Sequence, residues 1–249
     1  MTELFRTELE DGIKLLNIEL SEKQKEQLYE YYNMLVEKNK VMNLTAITEE
    51  KEFVKKHIID SLAIINAGEE ITNILTKGDI DLIDVGTGAG LPGIVLKIAF
   101  PKLRITLFDS LMKRLKFLDE VIDKLDLKDI TTLHGRAEDI GRDKKYREKF
   151  DIVVSRAVAN MSTLSEYCIP LVKPLGLFIP YKSGEIKDEL KIAEKAIRIL
   201  GGEVCSSELY ELPESDIKRS LIVIEKIKRT PMEYPRKAGV PAKEPIGSK

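Results

Sequence analysis

The chain has no tryptophan, and aromatic residues make up only 6% of it. Platforms for stacking single-stranded bases are therefore sparse, which argues against a general single-strand binder. Histidine occurs only as His57 and His134, cysteine only as Cys168 and Cys205. No cluster of His, Asp or Glu has metal-ligand spacing, so no metal is expected. The two cysteines match no redox motif, lie in apolar stretches, and read as core thiols of a reducing compartment. No run of eighteen apolar residues occurs, so no membrane span is expected. The opening stretch MTELFRTELEDG has no apolar core of the export type, which points to a cytoplasmic protein. A net charge of −2 argues against a general polyanion binder.

What is present is a chain of 249 residues, 43% apolar, enough for one large domain with an appendage. Its charge is uneven. Residues 226–249 carry seven Lys or Arg against two acids, and residues 1–30 carry four against eight. Such a basic tail can touch phosphates locally, or it can simply be solvated. The first 75 residues read as helical. Ser21 and Gln24 fit a capping box, and Leu28, Tyr31, Tyr32, Leu35 and Val36 follow at helical spacing. NLTAIT, 43–48, interrupts the pattern. Phe53, Val54, Ile58, Leu62 and Ile65 form a second stripe, along which His57 and Asp60 are expected to pair.

From residue 79 short apolar runs alternate with helical stretches: 80–86, 103–109, 129–135, 150–156 and 174–182, then 203–212 and 220–228 with no helix between them. This predicts an α/β fold with a mostly parallel sheet covered on both faces. The expected division is a helical cap over 1–78, a sheet domain over 79–228 and a basic, proline-containing tail over 229–249. Four prolines from residue 230 onward argue against a helix there, and for order gained only on a partner.

The most informative stretch is DVGTGAGLPG, 84–93. Gly86, Gly88 and Gly90 fall where the first strand meets the first helix, the place at which an open α/β sheet binds its ligand. Glycines there admit positive φ and close ligand approach. The dinucleotide fingerprint fails, because the third residue after Gly88 is Leu91, and no phosphate-loop Lys follows. The stretch instead resembles the acid-x-G-x-G-x-G loop of class I S-adenosylmethionine (SAM) methyltransferases, whose fold is a Rossmann-like, seven-stranded, mostly parallel sheet. On that reading Asp84 helps bind the ammonium of the cofactor's methionine end, directly or through water. Asp109, ending the second strand, accepts from a ribose diol or caps the next helix. HGRAED, 134–139, flanks the adenine: Glu138 or Asp139 accepts its amino group with Ala137 against the ring, or the loop is merely solvated.

Other chemistries are disfavoured by what is missing. SRAVAN, 155–160, replaces the double-proline motif of many exocyclic-amine methyltransferases. Cys168 lies inside a predicted helix, a poor place for the nucleophile of pyrimidine C5 methylation. Neither histidine has the setting of a general base. A site with no base suits a nucleophile with no proton to lose, such as a guanine ring nitrogen, and then positioning and electrostatics carry the catalysis. Arg156, at the end of the fourth strand, is placed to serve both cofactor and substrate, and an Arg can read the O6 side of guanine.

NLTAIT, DVGTGAGLPG, DSLMKRLKFL, GRAED, SRA and YPRKAGVPAKEPI occur in this order. Together they resemble the RsmG (GidB) family of bacterial small-subunit ribosomal RNA methyltransferases, from about Leu28 to Ile246. The resemblance implies SAM-dependent methylation of guanine N7 in 16S rRNA, at nucleotide 527 in standard rRNA numbering. It implies that Gly86, Leu91, Ala137 and Glu138 contact the cofactor, joined by Gly88 and Asp109 on the fold-level argument, and that Arg156 contacts the cofactor or the target. Lys113 and Arg114 are weaker candidates for phosphate or cofactor contacts, with a solvated helix face as the alternative. Lys182, Arg219, Arg236 and Lys237 are expected on RNA, and Lys226, Lys228 and Arg229 are further candidates. The expected partner is 16S rRNA within the small ribosomal subunit, and the expected state is a monomer. A methyltransferase for a small molecule or protein, or a SAM-binding ribosomal module without transfer, are the alternatives.

Overall fold

A computed structural model describes residues 1–247. The helical start is built as the pattern predicts. After α1 (Glu3–Leu15), α2 (Glu22–Met42) begins at the capping box: Ser21 Oγ accepts the Gln24 N–H, and Gln24 Oε1 accepts the Ser21 N–H at 2.9 Å. It ends at Asn43, whose φ of 50° is left-handed and stops the helix. Its buried face is Leu28, Tyr31, Tyr32 and Leu35. The second stripe is not one regular helix. α3 (Glu50–Phe53) passes into a π-helical stretch, Val54–Ile59, then α4 (Asp60–Leu62) and a 3-10 turn, Ala63–Ala67. The π turn widens the helix locally and changes which side chains share a face, so the i, i+3 pairing of His57 with Asp60 does not form. α5 (Glu69–Lys77) closes the N-terminal part.

The sheet comprises β1 (Asp81–Val85), β2 (Arg104–Asp109), β3 (Ile130–His134), β4 (Phe150–Arg156), β5 (Val172–Ser183), β6 (Gly202–Glu211) and β7 (Lys218–Lys226). Its order is β3-β2-β1-β4-β5-β7-β6, and only β7 runs antiparallel to its neighbours β5 and β6. The crossovers carry α6 (Gly93–Ala99), α7 (Met112–Lys124), α8 (Ala137–Ile140), α9 (Met161–Cys168) and α10 (Lys187–Ile199). Strand order reverses between β1 and β4, so a crevice opens at their carboxyl ends. Alternation along β1 feeds two cores. Leu82 joins the N-terminal helices, α6 and α7, while Ile83 joins α9 and α10. The N-terminal helices thus share one continuous apolar core with a face of the sheet. Among the described residues no helix is long and apolar enough to cross a membrane.

Three further expectations fail. Cys168 is buried, but Cys205 is exposed, because β6 is the sheet's edge and alternate residues face solvent. Lys226 is buried at 1% exposure, its ammonium donating to the carbonyls of Ile169 and Val172, so it cannot meet a phosphate. The tail is ordered on the body and even contains a short helix, α11 (Val240–Lys243). A proline-rich segment leaves carbonyls without helical partners, and the buried Arg147 guanidinium supplies them, donating to Thr230 O, Tyr234 O and Pro231 O at 2.7, 2.7 and 3.1 Å. Residues 248 and 249 of the predicted tail lie outside the described residues.

Candidate active site

Two clefts open at the carboxyl ends of the central strands. The larger, about 840 Å³, is lined by Gly86 and Val85 from β1, Asp109 from β2, Gly135 to Asp139 after β3, and Ala157 and Val158 after β4, with Tyr167 and Gly239. Of the predicted cofactor residues, Gly86, Asp109, Ala137 and Glu138 meet here. Arg114 and His134 also line it, whereas Lys113 stands exposed on α7. Its size suits a nucleoside-sized ligand.

The glycine loop is held from both sides. The amides of Gly86 and Thr87 donate to Phe108 O at 2.8 and 3.0 Å, and the Gly88 amide donates to Asp109 Oδ2 at 3.0 Å. From α2, the buried Tyr31 hydroxyl donates to Ala89 O at 2.8 Å. Gly88 has a φ of +60°, and a Cβ there would meet nothing nearer than 3.9 Å, so the space beside it is open. Gly90 differs: a Cβ there would strike Ile94 and Leu118 at 2.6 and 2.8 Å, so its role is packing. Leu91 is buried under the loop, and its amide returns to Thr87 O.

Asp84 lies beneath the loop, fully buried. Its Oδ2 accepts the Thr87 hydroxyl at 2.7 Å and the Gly93 amide at 2.9 Å, which ties the loop to the start of α6, while Oδ1 has no partner among the described residues. Burial pushes its pKa up to about 6, against the lowering pull of those two hydrogen bonds. Asp109 also serves the fold. Its Oδ1 accepts the Leu111 amide at 2.8 Å in a side-chain turn, and Oδ2 also meets Arg114 Nη1 at 3.3 Å. Carboxylate oxygens each have two lone pairs, so diol acceptance is still open. Glu138 Oε1 accepts the Gly239 amide at 2.8 Å, leaving Oε2 without a protein partner among the described residues.

The second cleft, about 480 Å³, adjoins the first at Ala157, which lines both. Ala157 has a φ of +56°, an uncommon conformation for a residue with a Cβ, at the point where β4 turns away. The cleft's wall carries Lys56, Arg156, Lys182 and Arg219 against Asp60 and Glu189, four cations to two carboxylates. Asp60 is its hub at 2% exposure. Its Oδ2 lies 3.0 Å from Arg156 Nη1, and its Oδ1 lies 3.3 Å from Arg219 Nε and accepts the Tyr210 hydroxyl at 3.1 Å. One carboxylate therefore orients two guanidinium groups from β4 and β7. Lys182 is held by Glu189 and Ala159 O at 2.7 and 3.0 Å.

His57, beside this cleft, is not available as a base. Its Nδ1 faces Lys56 O at 3.1 Å and must donate, so Nε2 accepts from the Thr45 hydroxyl at 2.8 Å. Burial, then the Arg156 charge, pushes its pKa down to about 3, so the ring is neutral. Thr45 is itself held by Asn39, whose Oδ1 accepts the Leu44 and Thr45 amides at 2.6 and 2.9 Å. NLT thus braces the π-helical wall. Arg236 is engaged elsewhere, its guanidinium forked onto the buried Glu166 at 2.6–3.1 Å, so the phosphate contact expected of it meets a prior partner. Lys237 is exposed.

Sequence reasoning missed the Asp60 hub, Tyr31 on the loop, and Gly239 in the cleft wall. Only Asp60 left a signal, as a lone acid in the apolar stretch HIIDSLAII.

The sheet order, the glycine loop at its switch point and the cleft beside it define a Rossmann-like class I methyltransferase fold. A solved structure from Galdieria sulphuraria, provisionally assigned as a sarcosine dimethylglycine methyltransferase, matches with a TM-score of 0.52 over 72% of this chain and 88% of that one, at 13% identity. The family model for rRNA small subunit methyltransferase G matches residues 24–218. The chain is 52% identical to the ribosomal RNA small subunit methyltransferase G of Alkaliphilus oremlandii over 96% of this chain and 97% of that one. It is 50% identical to that of Lachnoclostridium phytofermentans over 94% and 95%. The chain belongs to the rRNA small subunit methyltransferase G family.

Proposed function

We propose that this chain transfers a methyl group from SAM to N7 of a guanine in 16S rRNA, at nucleotide 527 in standard rRNA numbering. The observation that carries the reading is the pair of clefts meeting at Ala157, one of nucleoside size and one cationic. When bound in the larger cleft, the cofactor supplies an electrophilic methyl. The fit of the residues to it rests on the open space at Gly88 and the spare lone pairs of Asp109 and Glu138, which line the cleft, while Asp84, buried beneath the loop, acts by holding it. Gly86, Gly88, Asp109, Ala137 and Glu138 are the holding residues, with Leu91 acting through the loop backbone.

On the substrate side Arg156 is a positioning and charge-setting residue. Held by Asp60, it offers its guanidinium where a guanine O6 edge would lie. A ring nitrogen attacks through a lone pair and gives up no proton, which suits a cleft whose one imidazole is neutral and bonded at both nitrogens. Lys182 and Arg219 are the cleft's further RNA contacts, and exposed Lys228, Arg229 and Lys237 are phosphate contacts on the tail side. The N-terminal helices to residue 78 act as a cap that supplies one wall of the substrate cleft, the catalytic domain spans 79–228, and the tail spans 229–249. The protein acts as a cytoplasmic monomer on the small ribosomal subunit.

The test is transfer of tritium from labelled SAM to small-subunit particles from cells lacking the enzyme, followed by nucleoside analysis. Label in 7-methylguanosine at one rRNA position is expected. Absence of label in RNA, with SAM binding measured on the same protein, overturns the reading in favour of a small-molecule or protein acceptor or a non-transferring module.

A further inference from the structure

The tail does more than dock. Its path from Pro231 to Ile246 crosses α8 and α9, and one of its residues, Gly239, lines the larger cleft. Three anchors fix that path. Arg147 and Arg142 donate to tail carbonyls at its start, Arg142 Nε reaching Pro235 O at 2.6 Å. In the middle Arg236 lies on Glu166, a carboxylate with 0% exposure that accepts the Arg236 backbone amide at 2.7 Å as well as its guanidinium. Beyond it the Thr163 hydroxyl donates to Pro241 O at 3.0 Å. Between the last two anchors stands Gly239, whose φ of +82° turns its amide onto Glu138 Oε1 at 2.8 Å.

We propose that this strap is a working wall of the cofactor cleft, in which Arg236, seated on Glu166, is a positioning residue that acts through the Gly239 amide to aim the Glu138 carboxylate at the adenine edge. The proposal rests on the assignment of this cleft to SAM. A carboxylate with one oxygen on a backbone amide has a defined orientation, and its free oxygen then accepts from an exocyclic amino group and repels a carbonyl at the same place. The strap thereby takes part in choosing adenine. Its sequence, RKAGVPAK, supplies the needed parts: Arg236 for the fork onto Glu166, and Gly239 for a conformation that residues with a Cβ adopt at a cost.

The experiment is calorimetric binding of S-adenosylhomocysteine and of S-inosylhomocysteine, which carries a carbonyl in place of the amino group, to the full chain and to Arg236→Ala and Arg236→Lys. The full chain is expected to favour the adenosyl ligand. In Arg236→Ala its affinity falls about five- to tenfold, the inosyl ligand changes little, and the ratio between the two narrows. Lys, which cannot fork, restores only part of the ratio. Equal losses for both ligands, or no loss, overturn the proposal and leave the strap a structural tie. If the unaltered chain binds neither ligand, the SAM assignment of the cleft fails instead, and the strap's role in adenine choice falls with it. Gly239→Ala provides a second variant should Arg236→Ala not fold. Its Cβ would touch nothing within 4 Å, the Glu166 anchor stays intact, and the same narrowing of the ratio is expected from the altered backbone.

Discussion

Arg156 and Asp60, ninety-six positions apart, meet at 3.0 Å in a nearly buried ion pair at the bottom of the cationic cleft. The same carboxylate holds Arg219 and the Tyr210 hydroxyl, so three strands and the N-terminal cap converge on one side chain. Asp60→Asn keeps the shape and one acceptor but leaves two guanidinium groups without their counter-charge. A loss of about 2 kcal/mol or more in urea unfolding is expected. Transfer should fall about a hundredfold, the scale for losing one preorganised electrostatic group, while S-adenosylhomocysteine affinity stays within a few-fold. Arg156→Ala should show the same activity loss with less loss of stability, since the partly buried Arg219 and the Tyr210 hydroxyl still satisfy Asp60. Near-normal turnover in either variant would remove the pair from the reaction.

The two inner glycines of the loop separate binding from folding. At Gly88 a methyl group enters open space beside the cleft, and at Gly90 it enters packed side chains. Gly88→Ala should cost about 1 kcal/mol for left-handed backbone, yet weaken S-adenosylhomocysteine tenfold or more. Gly90→Ala should cost about 2–3 kcal/mol by overpacking, with a smaller change in affinity of the folded protein. Calorimetry and urea unfolding on both variants check this. The opposite ordering would mean that the open space beside Gly88 is not where the ligand lies.

His57 and Asp84 give opposite pH signatures. The His57 pKa falls from its ordinary 6.5 to about 3, so below pH 6.5 the unfolded chain takes up a proton that the folded chain refuses. Its stabilisation is present above 6.5 and drains away as pH falls toward 3. The Asp84 pKa rises from 3.8 to about 6, so its stabilisation is full below 3.8 and is lost as pH rises through 6. Each slope is at most about 1.4 kcal/mol per pH unit. Acidification from pH 6 to 4 should therefore change stability little in the unaltered chain, and raise it in His57→Gln. Urea unfolding across that range measures both, and a His57→Gln chain that loses stability on acidification would contradict the buried, neutral imidazole.

Much of this architecture could be read in advance for local reasons. Short runs with apolar centres, such as LRITLFD and FDIVVSR between helical stretches, are best placed in a sheet covered on both faces, and the capping box and glycine loop are short-range devices whose parts are adjacent. What stayed hidden depends on residues far apart. The π turn at Val54–Ile59 has no residue signature, and it redirects Asp60 away from His57 and toward Arg156, Tyr210 and Arg219 on strands far along the chain. Lys226 looks like a basic surface residue until the carbonyls of Ile169 and Val172 are brought over it. The tail's prolines argued against any helix, yet the short α11 forms, and the tail's order comes from Arg147, whose part as a clamp on carbonyls is settled only by tertiary structure. Gly239 could not be connected with the larger cleft before that path was known.

The docked tail also sharpens where rRNA phosphates would be met. Arg236 and Lys237 are neighbours in YPRK, but the first is forked onto Glu166 and the second is exposed with its ammonium in solvent. An exposed lysine at a phosphate releases about one counterion when it binds, whatever the sequence it touches. Lys237→Ala should thus weaken particle binding uniformly and reduce the slope of log affinity against log salt by about 1, with S-adenosylhomocysteine affinity unchanged. Arg236→Ala should do the reverse, lowering cofactor affinity with little change in the salt slope. Filter binding of small-subunit particles over a salt series, beside calorimetry, reads both quantities. If Arg236→Ala moves the salt slope and Lys237→Ala does not, the tail meets RNA through the residue that the fold holds inward, and the strap must open on the particle.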